Sequence, residues 1–143
     1  MSSVSRTTRI RLGAISFMWG AAACGLLTRT VIFRDVPVIG PWGGDVCWAV
    51  AAWYLFRCIL PRVFAIEIAV LSAGLCIVVE TSQLLDVEWL NTLREHHIIR
   101  LLIGHGFMWS DLVLYAIGIA IGWVLDTFVL MRIFGQPHPK SSG

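Results

Sequence analysis

The stretch LGAISFMWGAAACGLLT, residues 12–28, contains no charged side chain over 17 residues. A helix needs about 17–25 mainly apolar residues to cross the hydrocarbon core of a bilayer. This run therefore reads as a membrane span, and the rest of the chain has to be compatible with that. Further apolar runs lie at residues 46–60, 63–79 and 112–131, broken mainly by Arg57, Glu67 and Asp126. They reach spanning length once charges near their ends snorkel to the interface. Of the 143 residues 57% are hydrophobic and only 14% charged, where soluble domains carry about a quarter charged. The mean hydropathy is +0.78. The expected fold is all-α: an integral membrane four-helix bundle in a single transmembrane domain, residues 1–134, followed by a disordered tail, 135–143.

A net charge of +2 and the lack of a basic stripe with interleaved aromatics exclude nucleic acid as a partner. The lipid bilayer is the expected surrounding. Trp42, Trp48, Trp89 and Trp109 fall at or near run ends, as interfacial belts require. With the N-terminus inside, the cytoplasmic side holds Arg6, Arg9, Arg11, Arg57, Arg62, Arg132 and Lys140, against Arg29, Arg34, Arg94 and Arg100 outside. That excess puts both termini in the cytoplasm of a multi-pass protein.

Helix 1 is expected from about Ile10 to Arg29. RDVPVIGPWGGD, with its Pro and Gly, reads as an outer loop. Helix 2 is then expected to start after Asp45 as its N-cap and to end at Pro61, turning tightly into helix 3, which climbs from Val63 to Glu80 or on to Leu85. Between helices 3 and 4, apolar residues recur at three-to-four spacing from Val87 to Leu101, which predicts a short interfacial amphipathic segment. Helix 4 is expected to start at Asp111, with Tyr115, Gly118 and Gly122 on one face for close helix approach.

Polar residues gather at one depth on the outer side. Glu80 and Gln83 share a helical face. Asp111 and Asp45 stand at the starts of helices 4 and 2, Arg29 leaves helix 1 there, and Arg94 lies between Gln83 and Asp111. Charges at such depth are costly and normally face inward in pairs. The expected arrangement is a partly buried cup in which Arg29 and Arg94 neutralise Asp45, Glu80 and Asp111. The bland alternative makes Asp45 and Asp111 helix caps. Glu80 ends a helix, where the macrodipole disfavours an anion, so a compensating group is required. At the inner side Arg57, Glu67 and Asp126 are placed to form a second ion-pair cluster. Snorkelling or pairing that fixes helix register is preferred to a proton-coupled path between the two clusters, since helix 4 carries only Tyr115 as a clear relay between Asp111 and Asp126.

The motifs VVETSQLL, a later LR, and GHGFMWSDLVLYAIGIAIG resemble the bacterial domain of unknown function 2809 family, related to the VanZ-like group. The pattern Glu-x-x-Gln, Arg, Asp, a polar residue and Gly falls on Glu80, Gln83, Arg94, Asp111, Tyr115 and Gly118, with Tyr115 where the wider group has Asn. Asp45 with Trp48, and Arg29, also resemble family positions. The resemblance implies a four-helix fold, bacterial origin and residence in the cytoplasmic membrane, and the VanZ-like group's link to glycopeptide or lipopeptide antibiotic resistance. It brings no known reaction.

His96 and His97 point about 100° apart on a helix and cannot share an ion unaided. A mixed site with Glu80 or Asp111 is set against an interfacial polar face, and no metal or cofactor is expected. Cys24, Cys47, Cys58 and Cys76 lie in apolar runs and read as small packing residues. Cys24 also ends a lipoprotein-like signal, although apolar sequence resumes directly after it. No Ser–His–Asp spacing, phosphate loop or dinucleotide fingerprint is present.

The reading adopted is an outward polar cup that binds or modifies an envelope lipid or glycolipid. Glu80 and Asp111 are the candidate acid and base, and Arg29, Asp45, Gln83, Arg94, Trp109 and Tyr115 the candidate ligand-binding residues. Whether the protein is an enzyme stays open. The alternative is a structural or accessory subunit whose membrane partner, or second copy, docks on the GxxxG face. A transporter is the third choice and would need oligomerisation.

Overall fold

The computed structural model describes residues 5–30, 36, 39–82, 84, 92, 95 and 108–133, with the side chains of 39–41 excepted. Among them are four helices and no strand: α1 Arg6–Thr28, α2 Ile39–Ile59, α3 Ala65–Ser82 and α4 Trp109–Ile133. α1, α3 and α4 are 23, 18 and 25 residues long and apolar enough to cross a membrane. Only 17–22% of the residues in their most apolar windows are buried inside the bundle. Large side chains such as Trp19, Val70, Val78, Val113 and Phe128 instead point outward, as a lipid-facing surface demands. The protein is an all-α membrane bundle.

α2 is the central helix and packs against the other three, most extensively against α1. It carries the buried Ala49, Ala51, Ala52, Trp53, Tyr54 and Arg57. Lipid tails are as apolar as leucine, so cohesion must come from close packing and polar pairs rather than from water exclusion. The packing half of that requirement is met by glycines. A Cβ on Gly118 would lie 2.5 Å from the Val46 carbonyl oxygen and 2.6 Å from the Ala49 Cβ, and one on Gly122 would lie 2.8 Å from the Trp53 ring. The GxxxG face of α4 is thus filled by α2 of the same chain. The expectation that a partner docks on that face is overturned, because there is no room left on it.

Several boundaries differ from those read in the sequence. α1 starts a turn early, because Ser5 caps it by accepting from the Thr8 amide. α2 begins at Ile39, so PWGG belongs to a helix and not to a loop. Pro41 sits in the first turn, where a missing N–H costs nothing. Asp45 is therefore inside α2 and is not its N-cap. A link of residues 60–64 joins α2 to α3. α3 starts with Glu67 accepting from the Phe64 amide at 3.0 Å, half of a capping box. That use takes Glu67 out of the expected inner cluster. α4 starts at Trp109, with Met108 as its N-cap residue and Asp111 in its first turn.

The last turns of α4, Asp126–Leu130, are a π-helix before Met131–Ile133 resumes. Buried residues on α4 run Gly118, Gly122, Asp126, Leu130. Steps of four overshoot an α-helical turn by about 40° each. A wider π turn resets the face so that Leu130 and Asp126 both point inward. Gln83, Arg94, the amphipathic segment between helices 3 and 4 apart from Thr92 and Glu95, the His96–His97 and His105 positions and the tail 135–143 lie outside the described residues.

Candidate functional site: an acidic cup at one end of the bundle

α1 and α3 end, and α2 and α4 begin, at the same end of the bundle, and this brings Arg29, Asp45, Glu80, Asp111 and Tyr115 to one end. Glu80, in the last turn of α3, is 0% exposed. Its Oε2 accepts from the Tyr115 hydroxyl at 3.0 Å and its Oε1 from the Met108 amide at 3.1 Å. The compensation required at a helix C-terminus thus includes a phenol and the first free amide of α4, where the helix dipole favours an anion. The pairing is possible because Tyr115 is one turn below Asp111 on the buried face of α4.

On the other side of the cup, Arg29 Nη2 lies 3.4 Å from Asp45 Oδ1, with the two side chains 32% and 21% exposed. Arg29 reaches across Gly44, whose absent Cβ would stand 2.8 Å from Arg29 Nε. A side chain there would push the Arg29 guanidinium aside. Asp111 and Glu80 are close enough to act electrostatically on Asp45, and Asp45 and Asp111 act likewise on Tyr115. Asp111 is half-buried and accepts from the Ser110 hydroxyl at 3.2 Å. Trp109 is exposed at the rim. Six of the eight residues named from sequence are therefore described at this end; the other two, Gln83 and Arg94, fall outside the described residues.

Chemically the cup joins one guanidinium with three carboxylates among the described residues. Such a set suits a ligand bearing both an anionic group and hydroxyl or ammonium donors. Both Glu80 oxygens are engaged and sealed, whereas Asp45, Asp111 and Arg29 remain reachable. Among the described residues no cluster of His, Cys, Asp or Glu is arranged to hold a metal. Sequence reasoning missed the Met108 amide, because a backbone donor carries no residue-type signal.

The opposite end holds the second expected cluster, reduced to two members. Arg57 donates through Nε to Asp126 Oδ1 at 3.1 Å and through Nη2 to Oδ2 at 2.5 Å. Its Nη1 donates to the Val63 carbonyl at 2.8 Å. This two-pronged pair ties α2, α4 and the 60–64 link together. Arg9 and Arg11 of α1 add bonds to the Ile133 and Cys58 carbonyls, at helix C-termini where cations are favoured.

No solved structure matches the chain. A family model described as "Protein of unknown function (DUF2809)" matches residues 35–119, a range that includes Asp45, Glu80, Asp111 and Tyr115. That span is more than half of the sequence, and the chain belongs to the DUF2809 family.

Proposed function

We propose that this protein holds the polar headgroup of an envelope lipid or glycolipid in the cup, beneath the outer leaflet of a bacterial cytoplasmic membrane, with both termini inside. The observation that carries this reading is the reachable Arg29–Asp45 pair beside Asp111, mounted on a sealed Glu80–Tyr115 support. Arg29 supplies a planar donor for phosphate or carboxylate. Asp45 and Asp111 supply acceptors for sugar hydroxyls or an ammonium group. Glu80 then positions α3 against the start of α4. Asp111 is the proton-transfer candidate, because it is a half-buried carboxylate that remains reachable and accepts from the Ser110 hydroxyl.

The arginines of α1, α2 and the 60–64 link at the opposite end support the inside assignment of that end. The accessory-subunit reading loses its docking face, because Gly118 and Gly122 are covered by α2.

Native mass spectrometry of the protein in nanodiscs made with a bacterial polar-lipid extract tests the proposal. A headgroup-selective adduct is expected, lost in Arg29→Gln and in Asp111→Asn while helical circular dichroism is kept. Equal adducts in wild type and both variants would overturn it.

A further inference from the structure

Between the two polar ends, the core contains four buried polar atoms that have no hydrogen-bond partner among the described residues: Trp48 Nε1, Trp53 Nε1, Tyr54 Oη and Ser72 Oγ. Ser72 is the informative one. Other hydroxyls in or just after the helices bond back to their own backbone: Ser16 to Leu12, Thr28 to Gly25, Thr81 to Ile77 and Ser82 to Val79. Ser72 is 0% exposed and makes no such bond. It stands on the buried stripe Ile68, Ser72, Cys76, Glu80 of α3, so it lies two turns, about 12 Å, below the cup carboxylate.

The other three atoms are on α2. Trp48 packs in the layer of Ala49, Cys76 and Tyr115, and Trp53 and Tyr54 pack in the layer of Ile68 and Leu130. Ring stacking pins the lower two: Tyr54 on Phe17 at 4.9 Å between centroids, Trp53 on Trp123 at 6.2 Å. Tyr54 lies within electrostatic reach of Arg57 and Asp126, and Cys76 within reach of Glu80. The polar atoms thus sit at successive depths between Glu80 and Tyr115 at the cup and Asp126 at the other end.

Buried polar groups are almost always partnered, by protein or by ordered water. Four left dry in one small bundle would take a large share of a marginal stability. Two of them donate only, and two both donate and accept, a mixture that water satisfies. We propose that these atoms line a seam that binds a file of internal water and conducts protons between the two ends of the bundle within a single chain. A proton arriving beside Glu80 and Tyr115 passes from water to water. The Ser72 and Tyr54 hydroxyls each accept one on oxygen and release their own hydrogen onward. One proton leaves beside Asp126 for each that enters, and no covalent bond of the chain is changed. The titratable and charged groups facing the seam are Asp45, Glu80, Asp111, Tyr115 and Cys76 at the cup, and Tyr54, Arg57 and Asp126 at the far end.

The test is proton flux into proteoliposomes containing a trapped pH-sensitive dye, with potassium and valinomycin clamping the voltage. Wild-type flux is expected above that of protein-free vesicles of the same lipid. Ser72→Ala and Tyr54→Phe are each expected to fall to the protein-free rate, and Ser16→Ala to leave it unchanged. Thermal unfolding of the same variants is a second readout: neither is expected to gain stability, since each loses a hydrated group. Wild-type flux equal to protein-free vesicles would overturn the proposal. So would undiminished flux in both variants, or a raised melting temperature in both, which marks dry, costly hydroxyls. The lipid-adduct measurement is independent of all of these.

Discussion

Both ends of the bundle join an aspartate to an arginine on another helix, yet the two pairs differ in almost every physical respect. Arg57 and Asp126 are 2% exposed, share two hydrogen bonds, and have a third anchor in the Val63 carbonyl. Arg29 and Asp45 share one bond at 3.4 Å and remain 32% and 21% exposed. A sealed, doubly bonded pair has no donor directed outward, so it serves register. A partly exposed pair with a long contact leaves both side chains within reach of a ligand. Depth and geometry, not residue type, separate the structural cluster from the candidate site.

The sharpest way to break that contrast is to remove one partner at the sealed end. Asp126→Ala leaves Arg57 buried and uncompensated, and is expected to destabilise the bundle by about 3–5 kcal/mol, read by unfolding in mixed detergent micelles. Replacing both partners, Arg57→Met with Asp126→Leu, is expected to recover most of that loss, because the desolvation cost disappears with the charges. A single variant as stable as wild type would show that the pair does not hold register.

Gly118→Ala is expected to cost about 1–3 kcal/mol by overpacking, because its Cβ has no room beside Val46 and Ala49. Glu80→Gln weakens the bonds from Tyr115 and Met108, and is expected to cost about 1–2 kcal/mol. A double-mutant cycle with Tyr115→Phe should show the coupling, and additive effects would remove Tyr115 from the support. The smallest stability effect is expected at Arg29→Gln, below about 1 kcal/mol, alongside complete loss of the headgroup adduct. A large stability loss there, with the adduct kept, would reverse the roles assigned to the two ends.

The convergence of Arg29, Asp45, Glu80, Asp111 and Tyr115 was legible because successive spanning helices alternate in direction, so the ends of the first and third lie at the depth of the starts of the second and fourth. The stripe Ile68, Ser72, Cys76, Glu80 emerged only from burial. The start of α2 was not legible. Pro41 and two glycines in PWGG read locally as a loop, whereas in the structure Gly44 gives Arg29 its path to Asp45 and the helix extends to Ile39. The division of the inner acids was hidden for a similar reason. Glu67 is consumed three residues away as a cap, and Asp126 is claimed by an arginine 69 positions distant.

By itself the sequence determined that the chain crosses a membrane as a bundle of helices, since transfer energy and apolar run length are local quantities that add along a chain. Only the tertiary structure decided which polar group meets which. Tyr115 and Glu80 are 35 residues apart, and their pairing depends on the rotation and sliding of α4 against α3. That register is set by how closely Gly118 and Gly122 let α4 approach α2, a distance that no single segment encodes.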